Sequence, residues 1–144
     1  MKAPQTLFLL AADRDFRLLL GRKSDLAELA HRKADDFADV HNPFGSEPGR
    51  SHSAQVSFGN QERGVAEAEE RRRLARHAIA ALEAEWARGR AQRVVLVAGP
   101  KMLGDLRDAL PKALAEHVVA ELHKDLVKVP VHELAAHFDE VPGV

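Results

Sequence analysis

Eight histidines and twenty-two carboxylates are the side chains of this 144-residue chain that could hold a metal or move a proton. The histidines are His31, His41, His52, His77, His117, His123, His132 and His137. No two of them share a helix face. His132 and His137 are five apart, about 140° around a helix, and there is no HExxH. They read as scattered surface histidines, because a metal site demands a set of converging ligands. Among the acids, Asp13 ends the first apolar run and Asp125 follows the last one. Paired carboxylates at strand ends could hold two magnesium ions for phosphodiester cleavage, but that chemistry needs a third and usually a fourth carboxylate. Asp105 and Asp108 belong to a helix, and Asp15 points away from its neighbour. The alternative is that Asp13 satisfies backbone amides and Asp125 caps a turn.

Other chemistries are excluded more firmly. The chain has no cysteine, which removes thiol catalysis, disulfide scaffolds and iron–sulfur clusters. It has neither GxxxxGK[ST] nor GxGxxG to cradle phosphates, and no GxSxG elbow. With no tyrosine and one tryptophan, the stacking platforms of most single-strand RNA modules are missing. Twenty-one Lys and Arg against twenty-two Asp and Glu exclude a polybasic nucleic-acid binder. The balance is also local. The dense run Arg71-Arg72-Arg73 with Arg76 follows Glu67, Glu69 and Glu70, so that Glu67–Arg71 and Glu69–Arg73 are favourable i,i+4 pairs on a helix. A solvated, salt-bridged face is the reading, with a phosphate-contacting face as the alternative. No cofactor is implied. The longest apolar run near the start, Leu7 to Ala12, is too short for a membrane span or a signal-peptide core. The expectation is a cytoplasmic protein with no membrane partner.

The elements that would position these residues follow from hydrophobic period. Thr6 to Ala12, Phe16 to Leu20 and Asp25 to Arg32 read as an antiparallel meander around the turn Gly21-Arg22-Lys23-Ser24, although Leu26 and Leu29 fit alternation poorly and a helix over Ala27 to Ala34 is the alternative to the third strand. Residues 36–64, with four of the nine glycines, read as a long flexible loop, a feature usually functional or closed over by a partner. Val65 to Arg88 reads as a helix whose stripe is Ala75, Ala78, Ile79, Leu82 and Trp86, closed by Gly89. Val94 to Ala98 is a strand buried on both faces. Pro100 opens a helix with Leu103, Leu106 and Leu110 inward, and Pro111 opens a short one to Glu116. Val118 to Leu122 is a strand, Pro130 to Phe138 a last helix, and Pro142-Gly143-Val144 a frayed tail. Right-handed crossovers then give an α/β fold: one domain over 1–144 with a five-stranded mixed sheet and helices on both faces, broadly ribonuclease-H-like.

Several stretches, in chain order, resemble the bacterial host attachment family, proteins required for attachment to host cells. They are Leu9-Leu10-Ala11-Ala12-Asp13 with Arg14 to Arg17, Pro48-Gly49-Arg50-Ser51, Val94 to Ala98 continuing through Pro100-Lys101-Met102-Leu103-Gly104-Asp105-Leu106-Arg107, and Leu122-His123-Lys124-Asp125-Leu126. That family is in turn similar to the middle domain of archaeal and eukaryotic peptide release factors. There a catalytic Gly-Gly-Gln sits in a long loop before a long helix; here Gly59-Asn60-Gln61 holds the equivalent place, with asparagine for the middle glycine. The resemblance implies a release-factor-middle-domain-like fold and a non-enzymatic interaction domain with a protein partner, affecting attachment indirectly. A second reading is a ribosome- or tRNA-associated factor that uses the 36–64 loop, with Arg50, Arg63, Arg71, Arg72 and Arg73 on phosphates. The metal-dependent nuclease is the third. The expected binding surface is Asp13, Arg14, Arg50, Gly104, Arg107, Lys124 and Asp125. The plainer alternatives are close helix–strand packing at Gly104 and an ion pair from Arg107 to Asp13 or Asp125.

Overall fold

A computed structural model describes residues 4–41 and 52–144, with side chains over 4–40 and 63–144. The five strands are β1 (Thr6–Ala11), β2 (Asp15–Arg22), β3 (Asp25–Lys33), β4 (Arg93–Ala98) and β5 (Val118–Leu122). They form one sheet in the order β3-β2-β1-β4-β5. β1 pairs antiparallel with β2 and parallel with β4, and β5 runs parallel to β4. This is the mixed five-stranded sheet that the sequence predicts. The turn into β3 requires a glycine: Gly21 has φ of 140°, and a Cβ there would stand 2.2 Å from the Asp25 carbonyl oxygen. The poor alternation of β3 has a local cause. Leu18 pairs with Ala30 and Leu19 with Glu28, so Leu29 is the extra residue of a bulge.

Alternation along β1 and β4 divides the interior in two. Leu7, Leu9, Ala11, Val94, Leu96 and Ala98 face one core, and Phe8, Leu10, Val95 and Val97 face the other. The first core is covered by two long helices, α2 (His52–Trp86) and α3 (Pro100–Ala109). Short turns α1 (Ala38–His41) and α4 (Lys112–Ala115) add Val40 and Leu114. From α2 come Leu74, Ala75, Ala78, Ile79 and Leu82, the expected stripe with Leu74 added. Gly89, at φ of 77°, lies in the turn that ends the helix.

Three expectations are corrected. The helix begins at His52, not Val65, so residues 52–64 are helical rather than loop; residues 42–51 lie outside those described. The stretch 52–64 has no apolar stripe, and Gly59 and Gly64 each cost about 1 kcal/mol, so period gives no sign of its helicity. The expected last helix is two 3-10 turns, Val131–Glu133 and Ala135–Phe138. The tail is not frayed. Val141 and Val144 are buried, the Lys23 amide donates to the Val144 carbonyl at 2.8 Å, and Arg93 donates to the Gly143 carbonyl at 2.6 Å. This C-terminal segment covers the second core, where Phe138 stacks on Phe8 with ring centroids 4.6 Å apart. Among the described residues no helix is long and apolar enough to cross a membrane.

Two outcomes follow from this packing. Phe138→Ala should lower unfolding free energy in urea by about 3–5 kcal/mol, because its void opens in the second core. Val119→Ala, on a half-exposed side chain, should change it by no more than about 0.5 kcal/mol. The turn α1 is tied to α2 by His77, whose Nε2 lies 2.7 Å from Asp39 Oδ1 while its ring stacks on Phe37 at 3.9 Å. The hydrogen bond from His77, and then the charges of His77 and Arg73, hold the Asp39 carboxyl below its ordinary range. Because the folded value is depressed, its stabilisation is complete above the unfolded pKa of about 3.9 and fades as pH falls through the lower folded value. The carboxyl is half exposed, so the contribution is under about 1 kcal/mol. In urea titrations from neutral pH down to acid, the difference between wild type and Asp39→Asn should shrink toward zero at the acid end.

Candidate functional site

Parallel pairing of β1 with β4 brings their carboxyl ends to one edge of the sheet, the place where open α/β sheets bind ligands. A cleft of about 600 Å³ opens there. One wall is the β1–β2 turn with Asp13, Arg14 and Asp15; another is Gly99 to Met102, leading into α3; the third is Asp125 with Val127 and Lys128, beyond β5. A second trough of about 660 Å³ shares Asp13, Arg14 and Lys101 and runs on to Glu67, Glu70 and Arg71 of α2.

Four of the nine charged residues around these hollows, Arg14, Asp15, Glu70 and Arg71, are already spent. Arg14 pairs with Glu70 and, at 3.4 Å, with Asp35, which fastens the β1–β2 turn to α2. Asp15 is held by His31 at 3.0 Å. Arg71 leaves the expected partner Glu67 and reaches across to Asp105 of α3, both side chains largely buried. Arg72 and Arg73 both bind Glu69, at 2.8 and 3.0 Å, and their hydrogen bonds hold that carboxyl below its usual range. All three consecutive arginines are therefore engaged with carboxylates, as a salt-bridged face requires. By contrast Asp13, Lys101, Asp125 and Lys128 are exposed and make no hydrogen bond or ion pair among the described residues. Among those residues, no group of three or more His, Asp and Glu is placed to hold a metal. Asp13 and Asp125 share the cleft with two lysines instead.

Of the seven residues expected to form a surface, Asp13, Arg14 and Asp125 meet in the cleft. Arg107 does not pair with Asp13 or Asp125. It donates to Glu121 of β5 from Nε at 2.9 Å, and this bond raises its pKa. Lys124 turns to the His137 carbonyl at 3.3 Å and to Glu140 at 3.1 Å, holding the C-terminal segment. Gly104 is not a close-packing position, since a Cβ there would meet nothing within 4 Å. Arg50 lies outside the described residues, as do the side chains of Asn60 and Gln61. The Gly59-Asn60-Gln61 backbone lies inside α2 and not in a loop before it.

Three residues that line or shape the cleft escaped sequence reasoning: Lys101, Lys128 and Arg17. Lys101 carried a usable signal, since it follows a buried strand and a Gly-Pro at the strand's carboxyl end. Lys128 had none; it is placed from a distance. The nearly buried Arg17 of β2 crosses to the C-terminal segment, and Nη1 donates to the Val127 carbonyl at 2.9 Å and the Val129 carbonyl at 2.6 Å. Nε bonds Glu28 at 2.5 Å. The two carbonyls flank Lys128, so Arg17 sets that wall of the cleft. Arg17→Ala strands buried acceptors and should cost about 3 kcal/mol in urea unfolding. Amide exchange in residues 126–129 should quicken more than in β1 or β4.

Among curated proteins none matches the chain. The model of bacterial archaeo-eukaryotic release factor family 12 matches residues 5–138, from the residue before β1 to the phenylalanine stacked beneath the sheet. Because that match takes in every strand, both long helices and all three walls of the cleft, the chain belongs to bacterial archaeo-eukaryotic release factor family 12.

Proposed function

We propose that the chain is a ribosome- or tRNA-associated protein of release-factor type that acts by binding RNA through a few contacts. The observation that carries this reading is the family match across residues 5–138. The charge distribution limits how the binding works. Arg71, Arg72 and Arg73 are neutralised by Asp105 and Glu69, so a broad basic surface is not on offer, and Lys101 and Lys128 are the cations of the carboxyl-edge cleft that have no partner among the described residues. The helical backbone through Gly59-Asn60-Gln61 supports binding over peptidyl-ester hydrolysis, because the release-factor tripeptide works from a loop. The protein acts in the cytoplasm, where its RNA partners are. An effect on attachment to host cells, as the host attachment resemblance implies, is then indirect and follows from altered translation.

Sedimentation of the full chain with purified ribosomes, across a series of salt concentrations, tests the reading. Two phosphate contacts predict that association falls about tenfold between roughly 50 and 200 mM monovalent salt, whereas a polybasic binder would fall far more steeply. Absence of any salt-sensitive association with ribosomes or tRNA would overturn it.

A further inference from the structure

The cleft at the carboxyl edge has a composition that narrows its ligand. Its accessible apolar lining is small and flat, Ala12 and Pro100 beside Gly99, whereas Ala11, Met102 and Val127 at its edge are buried in the two cores. Such a lining accepts the face of a planar ring. The same cleft carries two ammonium groups on different walls, Lys101 and Lys128, and two carboxylates, Asp13 and Asp125. None of the four is paired among the described residues, whereas Arg14 and Asp15 of the same wall and Glu70 and Arg71 of the adjoining α2 wall each have a partner.

Mixed charge of this kind suits neither a bare polyanion, which the carboxylates would repel, nor a metal ion, which the lysines would repel. It suits a ligand with an anionic group, hydroxyl or amine donors and an apolar ring face. We propose that the cleft binds one nucleotide unit of RNA, an inference that rests on the RNA-binding reading above. The base lies on Ala12 and Pro100, the phosphate between Lys101 and Lys128, and the ribose hydroxyls donate to Asp13 or Asp125. Carboxylates are acceptors only, so they reward a 2′-hydroxyl that deoxyribose lacks. The volume of about 600 Å³ lies within the range of small-ligand sites. The trough that continues past Asp13, Arg14 and Lys101 toward α2 gives a following nucleotide somewhere to go, which favours the end of a strand over a free nucleotide.

The test is titration of isotope-labelled full-length protein with adenosine monophosphate, its 2′-deoxy counterpart, an adenosine pentanucleotide and inorganic phosphate, followed through backbone amide shifts. The expected result is movement of amides in 11–15, 99–102 and 125–128, with ribose bound more tightly than deoxyribose and the pentanucleotide more tightly than the monophosphate. Equal affinity of monophosphate and pentanucleotide would identify a free nucleotide as the ligand and overturn the strand-end assignment. Lys101→Ala and Lys128→Ala should each weaken binding about tenfold, as loss of a charge-assisted hydrogen bond does. Asp13→Ala with Asp125→Ala removes the acceptors and should bring the ribose-to-deoxyribose ratio toward one, a readout that a purely structural role would not move. Arg107→Ala, outside the cleft, should bind as wild type, and unchanged thermal transitions establish that each variant is folded. Inorganic phosphate binding as tightly as the monophosphate, shifts confined to other regions, or lysine variants with wild-type affinity would each overturn the proposal. Ribosome association without nucleotide binding overturns this inference and leaves the ribosomal reading standing; nucleotide binding without ribosome or tRNA association does the reverse.

Discussion

Parallel pairing between β1 and β4 is the constraint on which the other features depend. Both strands are buried on both faces, so each contributes alternate residues to two separate cores. A strand in that position cannot be left with one side wet, and the chain must supply two covers. One is the pair α2 and α3, joined through Arg71 and Asp105. The other is the C-terminal segment, which has little regular structure and is held by Phe138 on Phe8, by Arg17 on two carbonyls, and by the last residues against Lys23 and Arg93.

The same pairing makes the cleft. Parallel neighbours end on the same side, so the β1–β2 turn, the start of α3 and the segment after β5 arrive at one edge without any contact being needed to gather them. Electrostatics then sorts the residues that arrive. Arg14, Asp15 and Arg71 are consumed in holding elements together, while Asp13, Lys101, Asp125 and Lys128 keep their charges available. Those four side chains are exposed and belong to neither core, so substituting them leaves the packing of the sheet undisturbed.

Strong local patterns made much of the fold legible. The continuous β-branched run Val94 to Val97 identifies a central strand by composition, and the stripe Ala75 to Leu82 identifies the packed half of α2 by period. The first part of α2 was not legible, because a stretch whose sequence has no apolar stripe leaves no hydrophobic period to detect. The C-terminal cover misled for the opposite reason. Leu134 and Phe138 stand four apart as on a helix, yet the chain there forms two short 3-10 turns that meet at Leu134. In the site, Asp13 and Asp125 were visible as strand-end acids, whereas Arg107 and Lys124 looked alike in sequence and proved to be braces to Glu121 and Glu140.

The sequence by itself determined the α/β class, the five strands and their alternation, the neutrality of the surface and the absence of thiol chemistry. Those properties depend on residue type and near-neighbour spacing, which the chain carries wherever it is placed. Tertiary structure alone decided which charges are spent and which are free. Arg17 meets the carbonyls of Val127 and Val129 across more than a hundred residues, and Arg71 abandons a partner four residues away for Asp105. An ion pair forms where desolvation, geometry and competing partners are settled together, and only the folded chain brings those three into one place.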